Sequence, residues 1–133
     1  NANYLDGALA EIPGISPLET DRRVTRHARH LYSVRYDATR FGNHARAEFI
    51  AAMHAEGVPC ISAGYVPLTQ SPAIHRALHD LFGPESVADI AQCHRADEAG
   101  EQVLWITQNA LLGDQEDMDS IATAIEKIQA AWR

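Results

Sequence analysis

Two apolar periods alternate along this chain, and their order limits what it can fold into. Tyr32, Val34 and Tyr36 recur at every second residue opposite Leu31, Ser33 and Arg35, so residues 30–36 read as a strand with one well-buried face. Before it, Tyr4, Leu5, Ala8, Leu9 and Ile12 recur at helical spacing, which predicts a helix over residues 1–12 stopped by Pro13-Gly14. Residues 15–25 show no period and read as a connection. After the strand, residues 37–44 read as a loop turning at Gly42-Asn43. A helix follows to about Ala55, with Phe49, Ile50 and Met53 inside and Gly57 placed to cap its end.

The second half repeats the alternation. Residues 58–62 read as a short strand, and Pro59 confines it to a sheet edge or to the strand's start. Residues 63–70 read as a loop. Ser71 then caps a helix with Pro72 at its first position and Ile74, Ala77, Leu78, Leu81 and Phe82 on one stripe. Gly83-Pro84 breaks it, and Pro84 opens a shorter helix carrying Val87, Ile90 and Ala91. Val103 to Ile106 is a continuous apolar run, expected as a third strand. Asp114 caps the last helix, whose stripe is Met118, Ile121, Ala122, Ile125, Ile128 and Trp132, with Glu116, Asp117 and Asp119 near its positive end. Few strands among many helices predict an α+β fold. Its sheet is expected to be small, mostly antiparallel and three- to four-stranded, with helices over one face. One domain over residues 1–133 suits the length, with residues 1–13 as a linking helix and 27–133 as the α+β body.

Charge and composition exclude some functions. A formal charge of −7 argues against nucleic acid as a partner, because phosphate binding needs clustered Lys and Arg. Arg22, Arg23, Arg26 and Arg29 are read as a solvated connection. No apolar stretch approaches the ~20 residues of a membrane span, and no signal peptide is expected. Cys60 and Cys93 make no disulfide framework, so a reducing cytoplasm is the expected compartment. Cys60 is expected as a packed thiol. His75 and His79 share a helix face, but with no HExxH pattern and no third ligand they are expected to flank the stripe and face solvent, and no metal site is expected. No phosphate-binding glycine loop and no nucleophile elbow occurs in the sequence.

The Pro- and Gly-rich segment from Glu56-Gly57-Val58-Pro59 to Gly64-Tyr65-Val66-Pro67-Leu68 is the one loop that presents an aromatic hydroxyl, Tyr65. Other pieces accompany it in order: Asn1 to Leu9, Ile12 to Ile15, Tyr32, Arg35-Tyr36-Asp37, Phe49, Leu111-Leu112-Gly113, Asp117-Met118-Asp119 and Ala124 to Ile128. As an ordered set they resemble the C-terminal domain of the DegT/DnrJ/StrS-type sugar aminotransferases, close to the branch acting on keto-cyclitols.

The resemblance implies the small-domain fold of aspartate-aminotransferase-type enzymes, and pyridoxal phosphate as cofactor of the full-length protein. It implies a large N-terminal domain that carries the Schiff-base lysine, the carboxylate facing the pyridine nitrogen and the phosphate-binding residues. It also implies a homodimer, a keto-sugar or keto-cyclitol substrate, and no catalytic or cofactor-binding residue in these 133 positions. Tyr65, His30, Arg29 and Thr69 are its implied substrate-facing residues. The family pattern has aromatics near Arg29 and His30, and an aromatic or His where Thr69 stands. Lys127, the only lysine, suits the late part of a helix as a solvated charge, whereas a Schiff-base lysine needs a desolvated pocket. Alternatives are a dehydratase on the same fold, a ligand-binding regulatory module, or an interaction domain using the first helix's stripe.

Overall fold

A computed structural model describes residues 1–88 and 93–133. It divides into two compact units, Asn1–Ala63 with Gln102–Arg133, and Gly64–Glu101. The first unit holds a four-stranded sheet built from β1 (Ile15–Pro17), β2 (Leu31–Tyr36), β3 (Ile61–Ala63) and β4 (Val103–Thr107). Its spatial order is β1-β2-β4-β3, and every pairing is antiparallel.

Register explains the core. Ile15 faces Tyr36, Val34 faces Leu104, and Ile106 faces both Tyr32 and Ile61. All seven are buried, so cross-strand neighbours stack apolar groups on one face. Three helices contribute most of the rest, with Ile12, Phe41 and Val58 added from the connections: α1 (Ala2–Ala10) buries Leu5 and Leu9, α2 (Arg46–Ala55) buries Phe49 and Met53, and α6 (Gln115–Ala131) buries Met118, Ile121, Ala124, Ile125 and Ile128. Tyr36 stacks on Phe49 at 4.7 Å between ring centroids, and Phe41 meets Phe49 edge-on at 5.2 Å. Burial pushes the Tyr36 phenol up to about 12, and the hydroxyl donates to the His44 carbonyl at 2.8 Å.

Local chemistry sets the helix ends. The Asp114 carboxylate accepts from the Asp117 amide at 3.1 Å, and Asp117 returns a bond to the Asp114 N–H at 3.0 Å, satisfying two donors at the start of α6. At α2 the Glu48 carboxylate accepts the Ala45 N–H at 2.7 Å. That bond holds the Glu48 pKa below its ordinary value, with His44 as a lesser cause. Gln129 sits among the apolar residues of α6 yet is buried, because it donates to the carbonyls of Pro13 and Arg40 and accepts from Arg133.

Several expectations need correction. Residues 15–17, read as connection, form strand β1, which is too short to show a period and ends at Pro17. The second strand begins three residues later than expected. Gly57 at φ 87° closes α2, the Val58 N–H bonds to the Met53 carbonyl, and Pro59 has no N–H to offer a ladder. Val103 to Thr107 alternates rather than running fully buried, with Leu104 and Ile106 inside and the others half-buried. Ile50 is half-buried, whereas Phe49 and Met53 are fully covered.

The second unit contains α3 (Pro72–Phe82), α4 (Glu85–Ala88) and α5 (His94–Gln102, its last residue lying past the unit's edge). Helix α5 was not anticipated, because His94–Gln102 carries no apolar stripe and buries no residue. Helix α3 begins after Ser71 with Pro72 at its first turn as expected, but none of its residues is buried, and Leu81 and Phe82 are 73% and 72% exposed. Val87 is half-buried in α4, and the expected positions Ile90 and Ala91 lie outside the described residues.

Candidate substrate-facing site

In the first unit, Arg29 and His30 stand immediately before β2, which starts at Leu31 and is fixed to β4 from that residue onward. Arg29 was expected to be solvated with its neighbours, but its side chain is only 17% exposed. Its guanidinium donates to Asp6 Oδ2 at 2.9 Å and lies 5.5 Å from the centre of the Tyr32 ring. The other Asp6 oxygen accepts the Tyr32 hydroxyl at 2.7 Å, and burial together with that carboxylate pushes the Tyr32 phenol far up. His30 is exposed. Beside them lies a polar cavity of about 460 Å³ whose walls include Asn3, Thr20, Thr25, Arg26, His27 and Arg29.

In the second unit the loop after β3 carries Tyr65 and Thr69. Tyr65 is 83% exposed. The loop closes in a single turn over Leu68–Gln70 and is held from two sides. His75 Nε2 contacts the Thr69 carbonyl at 2.7 Å, and Gln70 donates to Asp97 of α5 at 2.7 Å. Helix α5 comes so close that a Cβ on Gly100 would meet Pro67 Cδ at 2.8 Å. The Thr69 hydroxyl oxygen is buried and has no hydrogen-bond partner among the described residues. Such a group costs free energy until a ligand or water pairs with it. His75 therefore does not face solvent as expected but braces this loop, while His79 stays exposed.

The remaining candidates are ordinary. Lys127 is 66% exposed and pairs with Glu56 at 2.6 Å. These surroundings do not fit an imine-forming lysine, which needs a desolvated amine. Cys60 precedes β3 rather than lying within it. It packs partly against the core, and burial raises its thiol pKa away from thiolate reactivity. Cys93 is exposed, and its carbonyl accepts the Ala96 and Asp97 amides at the start of α5. Among the described residues no group of three His, Cys, Asp or Glu side chains is placed to hold a metal, and no helix is long and apolar enough to cross a membrane. Sequence reasoning missed Asp6. No spacing rule connects a carboxylate on a first helix with an arginine 23 residues later.

Comparison with known proteins adds the following. Residues 1–126 match the sequence profile of the DegT/DnrJ/EryC1/StrS aminotransferase family. A Streptomyces kanamyceticus protein, provisionally named an L-glutamine:3-amino-2,3-dideoxy-scyllo-inosose aminotransferase, is 30% identical over 97% of this chain and 33% of its own length. The L-glutamine:2-deoxy-scyllo-inosose aminotransferase of Streptomyces lividus is 30% identical over 96% of this chain and 31% of its own. The chain thus spans about a third of the curated relatives it matches. The crystal structure of 3-amino-5-hydroxybenzoic acid synthase superposes with a TM-score of 0.73 over 98% of this chain and 33% of that one, at 16% identity. That likeness shows a shared α+β fold.

Proposed function

This chain belongs to the DegT/DnrJ/EryC1/StrS aminotransferase family, and from that premise we propose that it is the C-terminal domain of an enzyme transferring an amino group to a keto-cyclitol or keto sugar. The family is pyridoxal-phosphate-dependent in general. The large domain of the complete polypeptide would hold that cofactor, which supplies the electron sink that makes amino transfer possible. The observation that carries the reading is a conjunction. Nearly the whole chain matches a family whose relatives are three times as long, while its one lysine is ion-paired at the surface.

On this reading these residues shape the substrate pocket and do no covalent chemistry. The Tyr65 phenol can donate to and accept from ring hydroxyls, and the residue is exposed at the loop's surface. Arg29 keeps further N–H donors beyond the one spent on Asp6, and His30 is open to solvent beside it. The Thr69 hydroxyl oxygen, buried and without a partner among the described residues, would gain a hydrogen bond from a substrate hydroxyl that reached it. A smaller side chain than the family pattern has there leaves room for a differently substituted ring. A keto-cyclitol is favoured as substrate because relatives at 30% identity are named for scyllo-inosose derivatives. We also propose a homodimer and a cytoplasmic location for the complete enzyme.

The test compares the polypeptide carrying the upstream segment with the 133-residue chain, each given pyridoxal phosphate, L-glutamine and 2-deoxy-scyllo-inosose. The complete polypeptide should form the amine, and the chain alone should form none. Loss of water from the sugar without gain of nitrogen would replace the aminotransferase with a dehydratase. Tyr65→Phe in the complete polypeptide should raise KM roughly 5- to 10-fold, the effect of about 1 kcal/mol from one hydrogen bond.

A further inference from the structure

Arg29 is held more firmly than a place in a connecting segment requires. Its backbone sits at φ 49°, in the left-handed region that a residue bearing a Cβ seldom enters. Three contacts converge on it. Its amide donates to His27 Nδ1 at 2.9 Å, its guanidinium to Asp6 Oδ2 at 2.9 Å, and its charge lies over the face of Tyr32. Asp6 is the hub, since its second oxygen holds the hydroxyl of Tyr32, a residue with no exposed surface. The hub is itself rigid: Leu5 and Leu9 fix α1 in the core, and Tyr32 is paired with Ile106 in the sheet.

We propose that Asp6 is a positioning residue that locks the left-handed turn at Arg29 and thereby aims His30 at the substrate. This rests on the reading of His30 as substrate-facing. His30 lies between that turn and Leu31, the first residue held by β4, so the conformation of Arg29 sets the direction in which the His30 side chain leaves the backbone. Without the Asp6 carboxylate, the guanidinium loses its counter-ion, and only the His27 contact and the Tyr32 face remain to offset the cost of the left-handed backbone. Arg29 then relaxes toward negative φ, and His30 turns with it. Asp6 touches no substrate in this scheme and acts only through Arg29.

Two measurements test it. In the 133-residue chain, the amide-to-α-proton coupling and Cβ shift of Arg29 report φ by NMR. Asp6→Asn still offers an acceptor to Tyr32, so it should fold, and it should move both values out of the left-handed range. In the complete polypeptide, Asp6→Asn should raise KM for the keto-cyclitol about tenfold with kcat changed less than twofold, a loss of ground-state binding. Arg29→Gly and Arg29→Ala both lack the guanidinium, but only glycine accepts positive φ freely. Glycine should therefore bind substrate several-fold better than alanine, and adding Asp6→Asn to Arg29→Gly should change KM no further. Unmoved Arg29 resonances in Asp6→Asn, or equal KM for glycine and alanine, would overturn the proposal. If the wild-type polypeptide aminates no keto-cyclitol, the functional reading fails, and the NMR result alone decides whether Asp6 locks the turn.

Discussion

Phe49 and Phe82 are the same side chain in opposite circumstances. Phe49, in the unit Asn1–Ala63 with Gln102–Arg133, has no exposed surface and touches the rings of Tyr36, Phe41 and Trp132. Phe82, in the unit Gly64–Glu101, leaves 72% of its surface open beside the equally open Leu81. Both stand where a helical stripe predicts an inner face. The difference lies in what each stripe meets. The first unit sets three helices over the buried face of a sheet whose register stacks apolar residues, whereas the second has no strand among its described residues. Stability is thus concentrated in the first unit, and the second displays its loop and apolar side chains at low cost to the core.

The largest expected contrast uses these two residues. Phe49→Ala should cost about 3–5 kcal/mol, as ring deletions in close-packed cores do. Phe82→Ala should stay within about 0.5 kcal/mol, as at an open surface. Denaturant titration of both variants checks the pair, and a similar loss at Phe82 would break the comparison.

A second contrast concerns Gly14 and Gly57, which share positive φ. A Cβ at Gly14 would collide with Arg40 Cβ, whereas at Gly57 nothing lies within 4 Å. Gly14→Ala should cost roughly 2–3 kcal/mol from strain plus overlap, and Gly57→Ala about 1 kcal/mol from backbone strain alone. Helix caps sharpen the comparison further. Asp114→Ala in the first unit should lose about 1 kcal/mol, while Ser71→Ala in the second should lose almost nothing, because the Ser71 side chain makes no capping bond. Thermal melts would rank all four.

The smallest effects are those of pH. Glu48 has a lowered folded pKa, so its contribution is present above the ordinary glutamate value of 4.5 and fades as pH falls through the folded value. Tyr36 works the other way. Its folded pKa is raised to about 12, so its contribution is complete below 10.0 and is lost as pH climbs through 12. Stability should therefore decline at both ends, and Glu48→Gln should flatten only the acid limb. An acid limb unchanged in that variant would remove Glu48 from the account.

Much of this architecture was legible in the sequence. The alternation at Tyr32, Val34 and Tyr36 marks the buried face of β2, and the stripe from Met118 to Ile128 marks α6, because both periods are long enough to repeat. Asp114 and Gly57 were readable as caps for chemical reasons. What escaped had no period to read. Strand β1 is three residues long, and α5 has no apolar face. For α3 the stripe gave the orientation of the apolar face but could not say whether anything covers it. At the site, the exposed loop presenting Tyr65 was visible as Pro-Gly chemistry. The Asp6–Arg29 contact depends on tertiary placement that no local pattern encodes, and the bracing of Thr69 by His75, six residues on, depends on how the turn before α3 folds back.

The central claim is that the reactive amine belongs to another part of the polypeptide. Borohydride reduction with one equivalent of pyridoxal phosphate, followed by peptide mass spectrometry, tests it most directly. The account predicts no pyridoxyl adduct on Lys127 in the 133-residue chain, and in the complete polypeptide one stoichiometric adduct on a lysine outside these residues. A stoichiometric adduct on Lys127 accompanied by amine formation from the chain alone would contradict it.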